Sequence, residues 1–99
     1  MTIDAVSPST GAERVVGISA AEAGIRLVIH EKGEERARAV TPTDAILDVL
    51  AERPSGPQTL AGDLVVEVRR NEVWLSVGTT DAAVGLDDLT DAVAAIVTA

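Results

Sequence analysis

Cysteine, phenylalanine and tyrosine are absent from this chain, and Trp74 is its single large aromatic residue. Without cysteine there are no disulfides, no thiol nucleophile and no thiolate-held zinc or iron–sulfur centre. Without a set of aromatics there is no platform on which bases or sugars could stack. No apolar run approaches the ~18 residues of a membrane-spanning helix. The opening MTIDAVSPSTGAERV has neither the basic nor the apolar region of a secretory signal, so the expected compartment is the cytoplasm or a particle assembled there. Basic residues are also scarce: eight Lys and Arg against sixteen Asp and Glu give a net charge of −8. A surface of that sign repels nucleic acid and anionic membrane, so neither is expected as a partner.

What is present is aliphatic. The hydrophobic fraction is 46%, mostly Ala, Val, Leu and Ile, in 99 residues, which is enough for one core and one domain. Residues 1–10 are polar and read as a flexible N-terminal arm, leaving 11–99 as a single α+β domain. ERVVGI (13–18) is β-prone and short enough for an edge strand. SAAEAG follows, with Ser19 and Glu22 at capping-box spacing and Gly24 as a terminator, and predicts one helical turn.

IRLVIHEKGEERARAV (25–40) reads as a hairpin that sets Ile29 opposite Ala37 and Leu27 opposite Ala39 on one apolar face. TPTDAILDVLAER (41–53) reads as a helix, with Thr41 as cap, Pro42 in the first turn and Ile46, Val49 and Leu50 as its buried stripe. PSGP stops it, and a loop follows to about Gly62. DLVVEVRRNEVWLSVG (63–78) is the clearest hairpin. Pairing across Arg70–Asn71 matches Val68 with Val73, Val66 with Leu75, and Leu64 with Val77, and a slip of one residue spoils all three. The chain closes with a helix over 86–99 whose stripe is Leu86, Leu89, Val93, Ile96 and Val97.

These elements predict a two-layer α+β sandwich: one antiparallel sheet of four or five strands, both helices on one face, in the order (β)ββαββα. The segments 25–53 and 64–98 share a hairpin-then-helix layout. The order and the acidic balance resemble those of bacterial secretion chaperones, although no motif is shared and their leading helix is missing here. The resemblance implies a partner-binding role rather than catalysis.

No catalytic or cofactor motif appears. His30 is the only histidine and is read beside Arg36, which opposes both an imidazolium and a bound cation. Asp87, Asp88 and Asp91 lack the spacing of a calcium loop and suit the first turns of a helix. The glycines form neither a dinucleotide fingerprint nor a P-loop, and no nucleophile elbow is present. The chain is therefore read as no enzyme, with no catalytic residue, cofactor or metal, and a small carboxylate-using hydrolase is the weakest alternative.

Charge segregation carries the functional reading. The helices hold Asp44, Asp48, Glu52, Asp87, Asp88 and Asp91, whereas the outer sheet face collects Arg26, Arg36, Arg38 and Arg69. Among these lie Val28, Val65, Glu67 and Trp74, a mixture found at contact hot spots. The expectation is a protein-binding adaptor that grips its partner through this face, or self-associates there as a homo-oligomer. The rival is a structural subunit of a multicopy assembly such as a virion, secretion apparatus or shell. Trp74 could also lie beneath the N-terminal segment, with Val6, Val15, Val16 and Ile18 as its lid.

Overall fold

The computed structural model describes residues 1–98. Eight strands and two helices follow in chain order: β1 (Thr2–Val6), β2 (Glu13–Ala21), β3 (Gly24–Glu31), β4 (Glu34–Thr41), α1 (Thr43–Glu52), β5 (Gln58–Leu60), β6 (Leu64–Arg69), β7 (Glu72–Val77), β8 (Thr80–Gly85) and α2 (Leu86–Val97). All eight strands form one antiparallel sheet in the order β4-β3-β2-β1-β8-β7-β6-β5. The sheet curls until β4 comes against β6 and β7, so the molecule is nearly a barrel. This corrects the expected two-layer sandwich with its four- or five-stranded sheet, and with it the element order shared with secretion chaperones.

Both expected hairpins are present. β6 and β7 pair Leu64 with Val77, Val66 with Leu75 and Val68 with Val73, as the apolar matching requires. β3 and β4 pair Leu27 with Ala39 and Ile29 with Ala37. A bulge between Ile29 and His30 then sets His30 opposite Glu35 rather than Arg36.

ERVVGI is a strand as expected, but β2 lies between β1 and β3 rather than at an edge, and β1, β5 and β8 come from segments not expected to be strands. Residues 2–6, expected in an arm, form β1 between β2 and β8. Ile3 and Ala5 face the core, and Thr2, Asp4 and Val6 face out. SAAEAG extends β2 to Ala21 and turns at Glu22–Ala23 instead of forming a helical turn. Gly24 has φ +146, and a Cβ there would strike the Thr41 carbonyl, so the position requires glycine. The expected loop at 54–62 contains β5, and the segment between the second hairpin and the closing helix forms β8.

α1 starts later than expected. Pro42 occupies its N-cap, and Thr41 is instead a fully buried strand residue whose Oγ1 has no hydrogen-bond partner. Ile46, Val49 and Leu50 are buried on α1, and Leu86, Leu89, Ala92 and Val93 on α2. Val97, expected in the α2 stripe, is exposed. Both helices pack on the apolar side of the sheet and touch each other there, in one core with Val16, Leu27, Val66 and Leu75.

The chain consists of two similar units placed side by side, each a four-stranded meander followed by a helix. In the first, Ile25 pairs with Thr41 and Leu27 with Ala39. In the second, Val73 pairs with Val84 and Leu75 with Ala82 at matching places. Asp44, Ile46, Asp48, Val49 and Leu50 of α1 recur at the same spacing as Asp87, Leu89, Asp91, Ala92 and Val93 of α2. The layout shared by the two halves thus extends beyond the hairpin-then-helix segments 25–53 and 64–98.

Two seams join the units. At the first, β1 and β8 share a single register pair, Val6 with Ala83. Polar contacts reinforce it: Ser7 Oγ and Ser9 Oγ donate to Asp81 Oδ1, and Arg14 Nη1 donates to the Asp81 carbonyl at 2.5 Å. At the second seam, Val40 occupies the place corresponding to Ala83. Its carbonyl lies 2.5 Å from where a Cβ on Gly62 would sit, at φ +84, and no strand pairing joins β4 to β5.

Candidate protein-interaction surface

Strand alternation sends one set of side chains into the core and the other to a face that no helix covers. On that face, registers across the strands define rows. Glu67, Trp74, Ala83, Val6 and Glu13 form one row across β6, β7, β8, β1 and β2. Glu35, His30, Val15 and Asp4 form another across β4, β3, β2 and β1.

The expected site residues separate into two groups. Trp74, Glu67, Val65 and Arg69 lie together on β6 and β7. Arg69 stacks its guanidinium 3.8 Å from the centre of the Trp74 ring and donates to Glu67 Oε2 at 2.7 Å. Arg26, Val28, Arg36 and Arg38 lie on β3 and β4, with β2, β1 and β8 in between. Four strand steps separate β3 from β7, about 19 Å along the sheet.

The arginines are also largely neutralised. Arg36 faces Glu31 and Glu34, and Arg38 makes a two-pronged contact with Glu35 at 2.7 and 2.8 Å. Hydrogen bonding with Arg38 holds the Glu35 carboxyl below its ordinary pKa and raises that of the guanidinium. The expected basic patch around Trp74 is therefore two smaller, mostly self-paired clusters.

Trp74 is half-buried, and its Nε1 is shut away from solvent without a hydrogen-bond partner. Its cover is Arg69 and the flanking strand residues rather than an N-terminal lid. Val16 and Ile18 are core residues and form no such lid, while Val6 and Val15 share the outer face.

Between the two groups, over the first seam, lies a groove of about 1010 Å³. Val6, Val15 and Ala83 contribute its apolar surface, and Val6 is 50% exposed. Asp4, Glu13 and Glu72 line it, all exposed and none in an ion pair among the described residues. The β3–β4 turn contributes Lys32. Glu31 and Arg14 at its edge are already engaged, with Arg14 Nε donating to Glu31 Oε1 at 3.1 Å. Glu72 also borders the shelf formed by Arg69, Arg70, Asn71 and Trp74, so groove and tryptophan are continuous.

Arg14 connects the groove lining to the Asp81 network. Burial pushes the Asp81 carboxyl up, but hydrogen bonds from Ser7 and Ser9 together with the nearby Arg14 charge outweigh this and hold its pKa below the ordinary value. His30, between Val15 and Glu35, lines the groove, and the Glu35 carboxylate beside it is already held by Arg38. Among the described residues, no group of three or more His, Asp or Glu side chains is placed to hold a metal ion, and no helix is long and apolar enough to cross a membrane.

The groove is not legible in the sequence because residues 2–6 read as an arm and Ala83 lies outside any expected strand, so Glu13, Val15 and Glu72 have nothing to join them. The signal was present in TIDAV, where Ile3 and Ala5 alternate with Thr2, Asp4 and Val6. Five residues with a single large aliphatic at an inward position are too few to mark a strand without its partners.

No family model, curated protein or solved structure matches this chain.

Proposed function

We propose that the chain is a non-catalytic protein-binding module that docks its partner on the uncovered face of the sheet. The observation that carries this reading is the groove over the first seam, continuous with the Trp74 shelf. It puts a half-exposed valine and a half-buried tryptophan on a face that the protein's own helices leave bare. Single exposed apolar residues are ordinary, but a contiguous apolar floor inside a polar rim is how contact surfaces are built. Both helices are already committed to the core, and their acidic outer faces serve solubility. The cytoplasm, or a particle assembled there, is the compartment proposed with this role.

Co-purification with the products of neighbouring genes tests the proposal, using the parent chain and the double variant Val6→Asp, Trp74→Ala. A partner retained by the parent and lost by the variant, with circular dichroism unchanged, is the expected result. A partner retained equally by both removes this face from consideration. Self-association that the variant abolishes would favour the multicopy subunit instead.

A further inference from the structure

We infer that the occupant of the groove is a cationic, aliphatic-containing segment of a protein partner. The inference rests on the binding reading above and adds the chemistry of what is bound. Three carboxylates, Asp4, Glu13 and Glu72, line the groove with no basic side chain in contact, against the ammonium of Lys32 and the imidazole of His30; the Arg14 guanidinium in the same lining is held by Glu31 and Asp81. The basic residues elsewhere on this face are mostly occupied: Arg14, Arg36, Arg38 and Arg69 all hold carboxylates of this chain. The local imbalance therefore has the sign of the whole molecule, net −8. Lysines or arginines complement it, and the same charge steers their approach.

The groove surface selects further. Val6, Val15 and Ala83 offer aliphatic contact without a hydrogen-bond donor or acceptor on their side chains. Long basic side chains suit such a site, because their methylene stems can lie on the apolar surface while the charged ends reach the carboxylates. A nucleic acid strand meets the wrong charge here and lacks a stacking array. A second copy of this chain would bring its own net negative charge to the same place.

The test is a titration, followed by amide NMR, of the full chain with a short peptide of lysines interspersed with valines. Its counterpart with glutamate in place of lysine is the control. At about 0.15 M salt, where longer-range effects are screened, the basic peptide is expected to shift Asp4, Val6, Val15, Glu72 and Ala83. The acidic peptide is expected to shift none of them. Neutralising the groove (Asp4→Asn, Glu13→Gln, Glu72→Gln) should weaken binding by about tenfold or more, and neutralising α2 (Asp87→Asn, Asp88→Asn, Asp91→Asn) by less than about twofold. Equal weakening by the two sets would show attraction to net charge alone and overturn the inference. So would the absence of shifts with the basic peptide, or concentration-dependent shifts of the same residues without any peptide. A natural partner that depends on Val6 but presents no basic segment would leave the binding module standing and remove only its chemistry.

Discussion

The two seams that join the repeat units are built differently, although the strands on either side match. At the first, one register pair is supplemented by a polar cluster in which Ser7, Ser9 and Arg14 converge on Asp81. At the second, the backbone of Val40 approaches Gly62, and no ladder forms between β4 and β5. The counterpart of Asp81 in the first unit is Arg38, an exposed residue that pairs only with Glu35 in its own strand. Matching strands thus do not dictate how their edges close. The seam with these polar contacts is also the one over which the groove runs.

If both units belong to one cooperative core, truncating equivalent anchors should cost similar amounts. Ile46→Ala in α1 and Leu89→Ala in α2 are each expected to destabilise by about 2–5 kcal/mol in denaturant titrations. A large loss at one and little at the other would show that one unit folds without its neighbour.

At the second seam, Gly62→Ala adds a Cβ against the Val40 carbonyl at a positive φ, where a side chain is strained in any case. A loss of about 2 kcal/mol is expected. Gly33→Ala shares the positive φ but meets no atom within 4 Å, so the difference between the two variants isolates the seam contact.

The first seam should be sensitive to acid. The folded-state pKa of Asp81 is depressed, so its contribution is present above the unfolded carboxylate pKa and is lost as the pH falls through the folded value. Thermal melts of Asp81→Asn should show a loss of about 1–3 kcal/mol at neutral pH and a shallower decline below about pH 4 than the parent. Arg38→Ala, at the counterpart position, should leave the melting temperature unchanged, because exposed pairs contribute little. A parallel acid decline in Asp81→Asn and the parent would assign the lability elsewhere.

The same contrast explains what could be read from sequence. Leu64, Val66 and Val68 facing Val73, Leu75 and Val77 specify one register, and the hairpin follows from local pattern alone. Ile46, Val49 and Leu50 likewise define the buried stripe of α1. β1, β5 and β8 carry small or polar residues at half or more of their positions and become strands only because neighbours supply their ladders. Ala82 reads as helix or loop in isolation but is fully buried opposite Leu75. The candidate site was only partly legible for the same reason. Trp74 was placed on the correct face by its hairpin, but its neighbours across β8 and β1 depend on a long-range pairing between Val6 and Ala83. No window of sequence contains both residues.

Contact at the uncovered face is the central claim, and a photo-crosslinking residue introduced at Val6 tests it most directly. The same residue at Ala94, exposed on α2, is the control. In the native host, illumination is expected to yield a discrete protein adduct from position 6 and none from position 94. Adducts from position 94 alone, or none from position 6, would contradict the account and move the contact to the helical side of the molecule.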